Sequence, residues 1–273
     1  MTEFLRVNSD IFLFAVFLNL VFLIFFKQIS NLYSLFDYPD HKRKIHKQPV
    51  SLIGGFIVFV TFFLSIIYVY LFKEPEIIHK NLYVYSIQSI IIFLFVLVSI
   101  FVLGIFDDKY FLHPLKKFLS LIFLITIMCL NDTTTLINYF KFPINDLTIS
   151  FNQLSLIFSV SCYVFLIISL NMFDGINLQS FVFYFLNFLF LLINGDFSMP
   201  LLIIPLISLL VFAYFNHKNL AFLGDNGSYI LALILGYLLV KFHNYSDSYN
   251  SIDIVNFLFL PIIDSIRVII ERQ

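Results

Sequence analysis

Charge is scarce in these 273 residues: Lys, Arg, Asp and Glu together make up 12%, about half the share of a soluble globular domain. Hydrophobic residues reach 60% and the mean hydropathy is +0.96. Thirty-eight phenylalanines cannot all be hidden in one water-soluble core of this length, so the solvent for most of the chain is lipid. Cysteine is scarcer still. Cys129 and Cys162 are the only two, both inside apolar runs and without metal-ligand spacing; this excludes a disulfide framework and leaves them as small buried apolar residues. Polar sequence is also short: the longest stretches are 27–51 and 131–153, and there is no internal repeat, low-complexity tail or soluble domain. The first apolar run lacks a basic leader, being preceded by the polar Asn8–Asp10, and no small-residue cleavage site follows. It is expected to be a retained helix and not a cleaved signal.

What is present is a series of apolar runs. A spanning helix needs about 20 mostly apolar residues, and nine candidates stand between the charges: 11–26, 52–72, 83–106, 114–131, 153–170, 178–194, 199–215, 228–242 and 254–270. The expectation is an all-α polytopic membrane protein forming one domain over 1–273. Nine spans put the termini on opposite sides. With the N-terminus outside, the cytoplasmic segments hold eleven basic residues and the outer segments five (Arg6, Lys73, Lys80, Lys141 and Lys241), which selects that orientation under the positive-inside rule. The segment 139–151, apolar on both sides of Asn145-Asp146, reads as a small outer β-hairpin.

This topology gathers Asp37, Asp40, Asp107, Asp108, Asp174 and Asp225 at helix ends and loops on the cytoplasmic face. Carboxylates converging there beside Lys and Arg suit a metal ion and a polyphosphate. Four segments carry them. The first runs from Asp37 through Pro39, Arg43, Lys44, His46 and Pro49 to Gly54-Gly55; exposed N–H groups at a helix start favour phosphate oxygens, and glycine permits close approach. As composition alone it is also a basic loop anchoring two helices. The second is Asp107-Asp108 with Lys109, Lys116 and Lys117 downstream, suited to proton abstraction or cation binding, or to a plain interfacial helix end. In Asn171-Met-Phe-Asp174-Gly175-Ile-Asn177 the Asn and Asp stand three apart, able to aim oxygens at one cation, with Gly175 permitting the turn. The fourth, Gly224-Asp225-Asn226-Gly227-Ser228, suits a metal against phosphates or a simple helix cap.

Taken together and in this order, the four segments resemble those of the polyprenyl-phosphate N-acetylhexosamine-1-phosphate transferases, here as Asp37-x-Pro39, Arg43-Lys44-x-His46-x-x-Pro49, Gly54-Gly55, Asp107-Asp108 with Lys117, Asn171-x-x-Asp174-Gly175 and Gly224-Asp225-x-Gly227-Ser228. The resemblance implies transfer of N-acetylhexosamine-1-phosphate from a UDP-sugar, by default UDP-GlcNAc, to undecaprenyl phosphate with release of UMP. That is the first membrane step of a surface polysaccharide such as O-antigen, enterobacterial common antigen or teichoic acid, at the cytoplasmic face of a bacterial inner membrane. It implies Mg²⁺ (or Mn²⁺) held by Asp174 and Asp225. Asp107 would deprotonate or orient the lipid phosphate, with Asp108 supporting it and Asp174 also in the catalytic set. Lys44, His46 and Lys117 would neutralise phosphate, while Gly54, Gly55, Asn171, Asn177, Gly224 and Ser228 would contact substrate. The lipid bilayer and a second copy of the chain are the remaining expected partners.

Departures from the family pattern are local. One extra residue stands between Pro39 and Arg43, Ser51 replaces a second Pro, Asn177 stands where an Asp is usual and Leu178 where a Gly is usual. Family members continue past a Pro-x-x-Asp-x-x-Arg helix, here Pro261, Asp264 and Arg267, into a His-rich loop and a further helix; this sequence ends at Gln273. The domain is therefore expected to be incomplete at its C-terminal side, and a membrane scaffold without activity is the alternative. A transporter is the other rival. It would place polar groups near mid-membrane, whereas here only Asp264 and Lys241 approach that position.

Overall fold

The computed structural model describes residues 2–39, 48–72, 86–142, 147–194, 200–245 and 251–271. They fold almost wholly into helices: α1 (Thr2–Ile24), α2 (Phe26–Tyr33), α3 (Gly54–Phe72), α4 (Ile87–Tyr110), α5 (Pro114–Asn131), α6 (Ser155–Phe173), α7 (Gln179–Asn194), α8 (Pro200–His217), α9 (Gly224–Tyr245) and α10 (Ser251–Glu271). Two small antiparallel pairs complete the description. One joins β1 (Phe36–Asp37) to β2 (Val50–Ser51), and the other joins β3 (Tyr139–Phe142) to β4 (Leu147–Ser150). The second is the expected hairpin, with Tyr139 opposite Ser150.

Among the described residues, each of the nine expected segments contains a helix, but fewer than nine are long and apolar enough to be spans. Among the described residues, five helices are long and apolar enough to cross a bilayer: α3, α4, α5, α6 with its preceding turn, and α9. The pair α1 and α2, bent by 82°, makes a sixth if counted as one span. The apolar parts of α7 and α8 are shorter, about 24 Å at 1.5 Å per residue against a hydrocarbon core of about 30 Å. The last helix, α10, carries Asp264, Arg267 and Glu271 along its length.

Helix ends follow local chemistry. Ser86 caps α4, its hydroxyl accepting the Ser89 N–H at 3.1 Å, and Phe111 closes the other end in a left-handed conformation. The next helix opens with Pro114 in its first turn, where proline costs no hydrogen bond. Pro205 and Pro261 lie inside α8 and α10, a placement that packed membrane helices tolerate.

Helix α9 is the axis of the molecule. Every residue from Asn226 to His243 is buried, with α3, α4 and α6 packed around it. Its N-terminal turn meets α3 and α4 backbone to backbone. A Cβ on Gly55 would lie 2.3 Å from the Gly227 Cα, and one on Gly104 would lie 2.3 Å from the Asn226 Cα. Small residues at a membrane helix interface permit such an approach. Aromatic side chains fill the rest, with Phe59 stacked on Phe101 and Phe93 against Tyr237.

Candidate active site

One end of the bundle opens into a cavity of about 1450 Å³, walled by residues from 34–39, 48–52, 107–111, 171–177 and 216–225. Asp37, Asp107, Asp108, Asp174 and Asp225 all line it, so the convergence expected from topology is present in space. Asp40, Lys44 and His46 lie outside the described residues. Lys109 and Lys218 are the basic side chains on the described wall.

The two carboxylates ending α4 have different tasks. Asp107 is 1% exposed and accepts three donors: Lys117 Nζ at 2.7 Å, the Tyr229 hydroxyl at 2.7 Å and the Leu112 N–H at 3.1 Å. Asp108 turns toward α9. Its Oδ1 accepts the Asp225 N–H at 2.8 Å, and its Oδ2 accepts the Asn226 N–H at 3.1 Å together with the Asn226 side-chain amide. It is an N-cap supplied from another helix, satisfying donors that a helix start leaves open and complementing the helix dipole. Gly224 makes room for this cap. Its φ is +74°, and a Cβ there would sit 2.9 Å from the Asp108 carboxylate.

Asp225 is held from across the cavity. The Asn171 side-chain N–H group donates to Asp225 Oδ1 at 2.7 Å and to Ser228 Oγ at 2.8 Å. The Asn171 amide therefore positions Asp225. Asp174 follows α6 and accepts the Ser180 hydroxyl at 2.6 Å. Burial and the negative charge of Asp108 push its carboxyl up to about 6 against the Ser180 hydrogen bond.

The loop after α6 is stitched to the α8–α9 connection. The Leu178 N–H donates to Asn216 Oδ1 at 2.7 Å, and the Asn177 amide donates to Asn219 Oδ1. Leu178 takes φ +65°, a conformation that favours glycine. Gly175 was expected to permit this turn, but it has an ordinary φ and open space about its Cβ. The residue with the left-handed conformation is Leu178.

The glycines of the first segment also act differently from expectation. The Gly54 and Gly55 N–H groups donate to the Phe222 and Leu223 carbonyls, each at 3.0 Å. These N–H groups serve the packing of α3 on the α9 entry, and neither glycine is among the residues lining the cavity. Lys117 and Ser228 stand behind the cavity wall, engaged with Asp107 and Asn171 respectively. Several supporting residues were not singled out from sequence: Tyr229 on Asp107, Ser180 on Asp174, and Asn216 bridging two loops. Their signal was weak, since isolated Tyr, Asn and Ser within apolar runs look like ordinary helix residues.

Among the described residues, no three His, Cys, Asp or Glu side chains form a preformed metal cage. The donor set nevertheless fits Mg²⁺, which binds through one or two carboxylates and takes its other ligands from water and substrate phosphates. Asp225 faces the carboxyl groups of both Asp107 and Asp108, while the cation beside them, Lys117, is paired with Asp107. Like charges so close disfavour joint ionisation, and a shared proton or an added cation would relieve that repulsion.

A family model, glycosyl transferase family 4, matches residues 89–243, from α4 through α9. The chain belongs to this family. No match to an individual curated protein accompanies it. The matched span carries Asp107, Asp108, Asp174 and Asp225, all on the cavity wall. A family 4 glycosyl transferase of this kind works in a membrane on a polyprenyl phosphate and a sugar nucleotide.

Proposed function

We propose that this chain transfers N-acetylhexosamine-1-phosphate from a UDP-sugar, with UDP-GlcNAc as the default donor, to undecaprenyl phosphate at the cytoplasmic face of a bacterial inner membrane. The observation that carries the proposal is the meeting of Asp107, Asp108, Asp174 and Asp225, from three separate connections, on one cavity at a bundle end. In the transfer, an oxygen of the lipid phosphate bonds to the β-phosphorus of the donor, the bond from that phosphorus to the bridging oxygen breaks, and UMP leaves with that oxygen. Orientation rests on the basic residues concentrated at the cavity end. The product would start a surface polysaccharide such as O-antigen.

A phosphate monoester loses its second proton near pH 6, so the nucleophile is largely ionised at neutral pH. The harder task is bringing anions together. The Asp107 carboxylate already accepts three donors, so its work is to hold Lys117 and Tyr229 at the wall and to orient the acceptor. Asp108 sets the α9 entry, and Asn171 aims Asp225. Asp225 and Asp174 would hold Mg²⁺, which when bound screens the charge of the diphosphate. Lys109 and Lys218 offer cations at the rim for the phosphates.

Incubating the membrane-embedded protein with radiolabelled UDP-GlcNAc, undecaprenyl phosphate and Mg²⁺ tests this directly. Lipid-linked label together with released UMP is the expected result. No transfer from UDP-GlcNAc or any other UDP-N-acetylhexosamine would refute it and favour a scaffold.

A further inference from the structure

At the end of α9 remote from the cavity stands a second polar cluster inside the bundle. Lys241 is 0% exposed and Asp132 5% exposed. The Lys241 ammonium bonds to Asp132 Oδ2 at 2.9 Å and to the Thr134 hydroxyl, and lies 5.0 Å from the centre of the Tyr237 ring. Asp132 Oδ1 accepts the Thr134 N–H at 3.1 Å, the Thr135 hydroxyl bonds to the Asp132 carbonyl at 2.7 Å, and the Asn244 amide donates to the Thr134 and Leu136 carbonyls, each at 2.8 Å. Asp132 ends α5 as Asp108 ends α4. The α4–α5 hairpin thus grips α9 at both ends with a carboxylate.

We propose that Asp132 and Lys241 are positioning residues that fix the axial register of α9 and so place Asp225; this rests on the role given to Asp225 above. Helix α9 is buried on every side among apolar neighbours. The N-terminal turn of α9 is held by Asp108 and by the close contacts of Gly55 and Gly104; at the other end a buried ionic contact, a known way of specifying register, supplies the second anchor. Lys241 and Asp225 are separated by roughly 24 Å of continuous helix, so a shift at one end is carried rigidly to the other. An error of about 1 Å at a reacting group costs on the order of a hundredfold in rate.

The test compares the full chain with Asp132→Leu/Lys241→Met and with Lys241→Arg. Readouts are melting temperature, amide hydrogen exchange over 222–228, and UMP release. Replacing a buried ion pair by apolar residues often preserves stability, so the double variant should melt within about 4 °C of the native protein. Exchange at the Asp225 and Asn226 amides should nonetheless quicken about tenfold, and kcat should fall about tenfold or more with KM for the UDP-sugar within about twofold. Lys241→Arg keeps the charge on a longer arm, and should keep its fold while quickening the same amides about threefold. Native exchange and native kcat in a stably folded double variant would overturn the proposal. If that variant does not fold, unchanged exchange at 225 and 226 in Lys241→Arg would overturn it. A native protein that releases no UMP would defeat the transferase proposal alone, since the exchange measurement still decides the register.

Discussion

Replacing Asp108 by Ala separates a capping carboxylate from a reacting one. The side chain now satisfies the N–H groups of Asp225 and Asn226 and the Asn226 amide at 2.8–3.1 Å for the backbone pair. Alanine removes every one of these acceptors. Loss of an N-cap costs about 0.5–2 kcal/mol, and an orphaned buried donor costs about 1–3 kcal/mol. The cavity lets water reach the exposed side of this turn, and removing a desolvated carboxylate recovers part of the loss. Destabilisation of about 2–3 kcal/mol is therefore expected, which corresponds to roughly 4–12 °C in melting temperature for a domain of this size. Asp108→Asn keeps one acceptor oxygen and should fall between the two. Thermal unfolding in detergent, followed alongside UMP release, gives both quantities. If Asp108→Ala melts like the native protein while transfer is abolished, the cap is not what Asp108 contributes, and it acts on substrate instead.

Three further outcomes follow from the same geometry. Asp225→Asn should abolish Mg²⁺-dependent transfer while the protein still folds, and near-normal activity in that variant would sink the metal assignment. Gly55→Ala must force α3 and α9 apart, because its Cβ would lie 2.0 Å from Asn226 Oδ1 and 2.3 Å from the Gly227 Cα; a loss of about 1–3 kcal/mol should appear as a lower melting temperature, and an unchanged one would contradict the close packing. Asp174 has its carboxyl raised to about 6 by burial and by Asp108, so the folded protein holds that proton more tightly than the unfolded chain. Its contribution to stability without metal should grow as pH falls from about 7 through 6 toward 4, while the stabilisation by added Mg²⁺ shrinks over the same interval. Melting curves with and without Mg²⁺ across that range measure both limbs, and Asp174→Asn should flatten them.

Composition and run length were sufficient to determine the membrane-embedded helical class, the hairpin near 139–151 and the segments that carry Asp107, Asp108, Asp174 and Asp225. These are properties of local chain chemistry: an apolar run seeks lipid, and an Asp beside a Gly or Asn ends it. The partners of those residues depended on contacts between distant segments. That Asp108 caps α9, that Asn171 holds Asp225, and that Gly55 serves a close helix crossing could be decided only when α3, α4, α6 and α9 were brought together. Lys241 shows the difference most plainly. In sequence it is one charge interrupting an apolar helix; in the fold it meets Asp132 across more than a hundred residues, because a lone ammonium in a dry bundle must find its carboxylate wherever packing brings one.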